Sequence, residues 1–220
     1  MAKKILIVVT NHAEIQAGKK TGIWLSEFAE AYIEFTKKGY EVTVASPLGG
    51  KAPVDPGSVD ESTPQEILDA EKYLQNTLKL DEINSHEGFD AIFLPGGHGT
   101  MYDLPGSQKL QELLRDFYEA DKLVAAVCHG PAGLVGATLS NGQPLVAGKR
   151  VNAFTDREEG DTGLSQKLPF LLESKLRDLG AIFVAAPNWN THYEVDGNLI
   201  TGQNPQSTLA VTQAVIETLG

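Results

Sequence analysis

The feature that most restricts the fold is a set of short, wholly apolar runs in which no polar residue alternates. Ile5, Leu6, Ile7, Val8 and Val9 form the first, 91–94 and the residues that follow Lys122 in 122–127 are similar, and a further strand is expected at 41–46. A run without a polar face belongs to a strand buried on both sides, the condition of a parallel sheet covered by helices. Segments of helical period lie between the runs. Residues 22–38 place Trp24, Phe28, Ala31, Tyr32 and Phe35 on one stripe and stop at Gly39. Helices are also expected over 65–78, 107–120 and 168–179, in a small-residue segment after Pro131, and over 207–218. Further strands are expected at 150–153 and 181–185, with a hairpin turning at Asp196-Gly197. This alternation predicts an α/β doubly wound, mostly parallel sheet with helices on both faces. A site in such a sheet lies beyond the carboxyl ends of its strands, here residues 10–21, 95–99 and 128–131.

Residues 1–220 read as one domain, long enough to bury a full core without a staple. Eighteen basic against 29 acidic residues leave a net charge of −11, which repels phosphate backbones and anionic lipid; neither nucleic-acid nor membrane binding is expected. Cys128 is the one cysteine, so no internal disulfide can form, in keeping with a reducing compartment. The opening apolar run ends at Thr10-Asn11-His12, too early for a signal peptide. A cytoplasmic location follows as the expectation.

Cys128 stands where a buried strand meets a helix, before His129, Gly130 and Pro131. This has the form of a nucleophile elbow, a tight strained turn that lifts its apical side chain above the sheet. Amides at the helix start would favour the thiolate, and the adjacent imidazole would serve as base or ion-pair partner. A buried cysteine is otherwise a small core residue, but a core position has no need of the Gly130-Pro131 punctuation. Gly96 and Gly97 end another strand, where amides free of Cβ hindrance can join that of His129 in an oxyanion hole. Glu27 lies at the border of the first helix's apolar stripe, where the helical wheel favours solvent. A carboxylate to orient the histidine is sought in a loop holding Asp156, Glu158, Glu159 and Asp161, among which spacing does not choose. His192 and Glu194 share one strand face, as the distal pair of a glutamine amidotransferase would, though hairpins carry such pairs by chance; His12 with Glu14 and His86 with Glu87 have no recognisable ligand spacing, so no metal is expected.

The segments Leu94 to Gly99, Ala125 to Pro131, Lys19 to Gly22 leading to Glu27, Ser46 to Gly50 with Asp55-Pro56, and Thr201 to Pro205 together resemble the ThiJ/PfpI superfamily. These proteins are flavodoxin-like relatives of class I glutamine amidotransferases. The motifs span nearly the whole chain and are similar to the branch of heat-shock chaperones and glutathione-independent glyoxalases (glyoxalase III). The resemblance implies that Cys128 is the nucleophile, His129 its partner, Glu27 the carboxylate against the thiol, and Glu159 the acidic residue after Phe154-Thr155, with Glu158 beside it. It also implies a homodimer, no cofactor, and a small aldehyde substrate. Methylglyoxal would be converted to lactate through a Cys128 hemithioacetal, an enediol and a thioester, with His129 or Glu27 as base. Relatives are also credited with repair of glycation adducts and with holdase behaviour.

A cysteine peptidase or amidase of the same superfamily, and a stress chaperone or redox sensor with a regulatory thiol, are the competing readings. Loops at 47–64 and 72–87 are expected to cover the site, which favours small substrates over peptides.

Overall fold

The computed structural model describes residues 2–220; Met1, where the expected domain begins, lies outside the described residues. The first strand, β1 (Lys4–Val8), leads through a small hairpin, β2 (Glu14–Gln16) and β3 (Lys19–Lys20), to helix α1 (Leu25–Lys37). Then come β4 (Glu41–Ser46), α2 (Gln65–Ala70), β5 (Leu78–Lys79), β6 (Ala91–Leu94), α3 (Thr100–Asp103), α4 (Gln108–Glu119) and β7 (Leu123–Val127). The chain finishes with β8 (Arg150–Val151), α5 (Asp156–Thr162), α6 (Leu172–Asp178), β9 (Ile182–Phe183), β10 (Tyr193–Asp196), β11 (Leu199–Gly202) and α7 (Thr208–Leu219).

Seven strands form the main sheet in the order β10-β11-β7-β6-β1-β4-β5, parallel throughout except for the antiparallel β10–β11 hairpin at one edge. The pleat divides β1 between two cores. Ile5 and Ile7 pack with Phe28 and Phe35 of α1, Ile67 of α2 and Val215 of α7. Leu6 and Val8 pack on the opposite face with Leu114 and Phe117 of α4 and Leu176 of α6. Burial on both faces is therefore what the unalternating apolar runs encode. Among the described residues, no helix is long and apolar enough to cross a membrane.

β1 has β4 on one side and β6 on the other, so the strand order switches direction there, which is where a site in such a sheet is expected beyond the strand ends. Three segments expected from sequence differ. The helix expected over 65–78 stops at Ala70, passes through a 3-10 turn at Glu71–Leu74, and becomes the edge strand β5. Buried Thr77 draws the chain to the sheet by bonding to the Ser46 hydroxyl at 2.6 Å and donating to the Gly50 carbonyl at 2.8 Å. Residues 72–87 thus finish the β4 edge, with Tyr73 stacked on Tyr32 and Leu80 in the α4-side core, rather than covering the strand ends near Cys128. The 47–64 loop does reach the switch point, where the amide of Ile23 donates to the Pro53 carbonyl and Asp55 accepts from the Thr21 hydroxyl. After Cys128 the expected helix is a 3-10 segment, Gly130–Gly136, with three glycines in seven residues.

Candidate active site

Cys128 ends β7 with φ of +59°, a left-handed conformation that costs a non-glycine residue about 1–2 kcal/mol. The surroundings hold it there. Its amide donates to the Gly202 carbonyl at 2.9 Å, and its own carbonyl accepts from Phe154 at 2.9 Å. Thr100 ties the elbow to the preceding strand end, its hydroxyl meeting the carbonyls of Gly97 (2.8 Å) and His129 (2.9 Å). Gly96 and Gly97 make this approach possible. A Cβ on Gly96 would lie 2.6 Å from the His129 amide nitrogen, and one on Gly97, whose φ is +107°, would collide with the Gly22 carbonyl.

Only 3% of Cys128 is exposed. Its Sγ lies 3.3 Å from Nδ1 of His129, and it couples to the side chain of Glu27. Glu27 itself is fully buried in α1, a correction to the solvent-facing position its helical wheel suggested and in line with the resemblance. The neighbouring Phe28 is equally buried, and a side chain of that size stabilises by roughly 1.5–3 kcal/mol, which helps anchor a helix face carrying a carboxyl inward. Oε2 of Glu27 accepts the Gly96 amide at 2.6 Å, while Oε1 meets no nitrogen or oxygen donor and is left to the thiol. Gly96 is accordingly not available as an oxyanion donor: its N–H is spent on Glu27. The amides of Gly97 and His129 are not committed to any carbonyl among the described residues.

Burial pushes the Glu27 carboxyl up to about 8, against smaller lowering contributions from its bonds to Cys128 and Gly96. Burial also pushes the Cys128 thiol up, and the Glu27 charge adds to this, while the His129 amide opposes it. The depressed thiol expected from a helix start is not realised, because the short 3-10 segment supplies little dipole and the sulfur is out of water. Near neutral pH the carboxyl therefore holds a proton it can donate, and the thiol gives up its own only to a neighbouring base.

Behind His129 stands Glu159, whose Oε2 is 2.7 Å from its Nε2. Oε1 of the same carboxyl is 2.9 Å from Nε2 of His98 and accepts from the Thr162 hydroxyl at 2.8 Å. Burial alone would raise Glu159, but these bonds and the imidazole charges outweigh it and hold the carboxyl well below its usual range. An ionised Glu159 makes Nε2 of His129 the N–H, which turns the Nδ1 lone pair toward sulfur. Burial and neighbouring His98 lower His129 to about 4, so the ring is neutral near pH 7.

The acidic stretch after Phe154 is not a loop but α5. Thr155 and Glu158 close its start as a capping box, with the Glu158 amide donating to the Thr155 hydroxyl at 3.1 Å and Glu158 Oε2 accepting the Thr155 amide at 3.0 Å. This commits Glu158 to the helix start and to Trp189, Gln203 and Asn204, and turns Glu159 to the histidines. The sequence motif Thr155 to Glu158 carried that signal. His98 was legible only as part of the glycine-rich strand end. Phe154 stacks on His129 at 4.3 Å between ring centres and meets Trp189 edge-on at 5.6 Å; no sequence pattern marked either. The remaining pairs lie elsewhere: His192 and Glu194 join Arg150 at the sheet edge, His12 stacks on Tyr102, and His86 packs on Phe117.

Donor atoms of His98, His129 and Glu159 lie within 4.8 Å of one another, the one group among the described residues that could hold a metal ion. As arranged, each carboxylate oxygen receives an imidazole N–H instead. With a buried thiol at a strained apex, an acid of near-neutral pKa beside it and a neutral base on the other side, the site is equipped for addition to a carbonyl and for proton transfer within the adduct.

The sequence profile of the DJ-1/PfpI family matches residues 19–218. Glyoxalase 3 of Candida albicans is 32% identical, with 97% of each chain covered. A glutathione-independent glyoxalase of Schizosaccharomyces pombe is 34% identical over 97% of this chain and 95% of its own. Among solved structures, glyoxalase III from Candida albicans superposes with a TM-score of 0.89 at 30% identity, covering 98% of this chain and 96% of that one.

Proposed function

This chain belongs to the DJ-1/PfpI family, and from that premise we propose that it is a glutathione-independent glyoxalase, converting methylglyoxal and related 2-oxoaldehydes to 2-hydroxy acids such as lactate. The observation that carries the reading is the coupling of buried Glu27, at about 8, to the Cys128 sulfur. Isomerising a 2-oxoaldehyde to a 2-hydroxy acid moves hydrogen from one carbon to its neighbour, and needs a group that gives and takes a proton near neutral pH.

In this reading the thiolate adds to the aldehyde carbon, its own proton having passed to Nδ1 of His129. The amides of Gly97 and His129 hold the new oxyanion. Glu27 gives its proton to that oxygen and, as carboxylate, takes the hydrogen of the former aldehyde carbon, producing an enediol. Returning the proton to the adjacent carbon leaves a thioester on Cys128, and water releases the 2-hydroxy acid. Glu159 holds His129 in the required tautomer throughout. Glutathione has no role, because Cys128 supplies the sulfur.

The near-complete burial of Cys128, next to a His129 ring that Phe154 covers, favours a small aldehyde over a polypeptide and counts against the peptidase reading. Residues 1–220 act as one catalytic domain, with the 47–64 loop beside the site. A cytoplasmic homodimer, the state suggested by family resemblance, completes the proposal. Lactate formation from methylglyoxal without glutathione is the test. Wild type should produce lactate and Cys128→Ser should not, since a hydroxyl at this place is far less nucleophilic. Turnover by the serine variant near the wild-type rate would remove Cys128 from the chemistry.

A further inference from the structure

Glu159 serves two imidazoles, and the reaction as written above uses only one of them. His98 and His129 contact the same carboxyl through their Nε2 atoms, at 2.9 and 2.7 Å, one on each oxygen. Their rings lie 4.2 Å apart. Nδ1 of His129 is engaged with sulfur at 3.3 Å. Nδ1 of His98 has no hydrogen-bond partner among the described residues, yet it is not among the sealed, unpartnered atoms either; 7% of the residue remains exposed. His98 therefore presents a nitrogen lone pair to water at the edge of the site, while Nε2 is fixed as N–H by an ionised carboxylate.

We infer that His98 is the general base for the hydrolytic step, activating the water that releases product from Cys128. The inference rests on the glyoxalase reading and assigns a residue to its last stage. As the water oxygen bonds to the thioester carbonyl carbon, one water proton passes to Nδ1 of His98. The tetrahedral adduct then expels the sulfur as the carbon–sulfur bond breaks. The 2-hydroxy acid leaves as its carboxylate, giving the second water proton to solvent, and the proton on His98 returns to the thiolate; nothing is oxidised or reduced. Labour divides across Glu159: His129 faces the sulfur and His98 faces the water. The geometry supplies a reason for two imidazoles. His129 lies beneath Phe154 and beside the sulfur, shielded from the solvent from which a hydrolytic water must come.

His98→Gln tests this, because the glutamine amide can still donate to Glu159 while offering no base. Wild type and variant are mixed with methylglyoxal, quenched in acid, freed of reversible hemithioacetal by gel filtration, and treated with hydroxylamine, which converts only the thioester to a hydroxamate. The expected result is first-turnover consumption of aldehyde near the wild-type rate and a thioester that accumulates on Cys128. Steady-state lactate formation should fall by about 100-fold or more. Steady-state turnover within about threefold of wild type with no trapped thioester would overturn the assignment. So would loss of first-turnover consumption in the variant, which would reduce His98 to a support for Glu159. Failure of the wild type itself to form lactate would overturn the glyoxalase reading, and this inference with it.

Discussion

Glu27 sets beside the chain's one thiol a carboxyl that keeps its proton near neutral pH. On a wheel it borders the apolar stripe of α1 and belongs in solvent; in the fold it is fully buried against the Gly96 amide and the Cys128 thiol. What determines its position is packing against β6 and β7, elements more than 60 residues away in sequence, to which local periodicity is blind. Cys128 was legible because its elbow is local, and Glu159 only through resemblance, since four acidic residues crowd the same stretch. Replacing Glu27 by Gln keeps a donor but removes the transferable proton, so kcat should fall by about 100-fold or more while thiolate absorbance against pH changes less. The same substitution should stabilise the fold at alkaline pH. A carboxyl raised from 4.5 to about 8 on folding contributes its stability below pH 4.5 and loses it as pH rises toward 8. The loss is roughly 1.4 kcal/mol per pH unit within that window. Urea unfolding at two pH values checks this: the glutamine variant should lack the alkaline decline attributable to Glu27, and an identical decline in both proteins would return Glu27 to an ionised, solvated state.

Among the elements, α5 carries Glu159 to the histidines, in a stretch where the sequence predicts a loop. It is only seven residues long, too short for a periodic signal, and its start is marked only by Thr155 and Glu158 at capping-box spacing. The longer strands of the sheet centre were readable to within a residue or so, because burial on both faces leaves an unbroken apolar run. The conversion of 65–78 into a short helix and an edge strand was not, since it follows from Thr77 bonding to Ser46 and Gly50 across the sheet edge. Thr155→Ala removes the cap, at a cost of about 1 kcal/mol. Because α5 carries Glu159, kcat should fall by more than that loss of global stability explains, with KM little changed. Urea unfolding and steady-state kinetics on the same preparation measure both. A variant with the expected stability loss and unaltered kcat would show that Glu159 is held by its histidines and not by the helix.

At the scale of the molecule, the doubly wound topology brings α1, the β6 strand end, the β7 elbow and α5 to one crevice from four distant parts of the sequence. The sequence indicated which strand ends would meet; it could not indicate that two histidines and two carboxyls would close into a single proton network around one sulfur. The titration of that network should be visible in the rate. Below about 4, His129 gains a proton at the nitrogen facing sulfur; above about 8, Glu27 loses the proton it must donate. These limits belong to the coupled network more than to either residue alone. The most direct measurement is kcat for lactate formation from methylglyoxal across pH 3–10, a span of roughly one unit or more beyond each limb. The expected profile is a bell with its acid limb near 4 and its alkaline limb near 8. A rate that continues to rise through pH 8 toward the titration of a free thiol would contradict it.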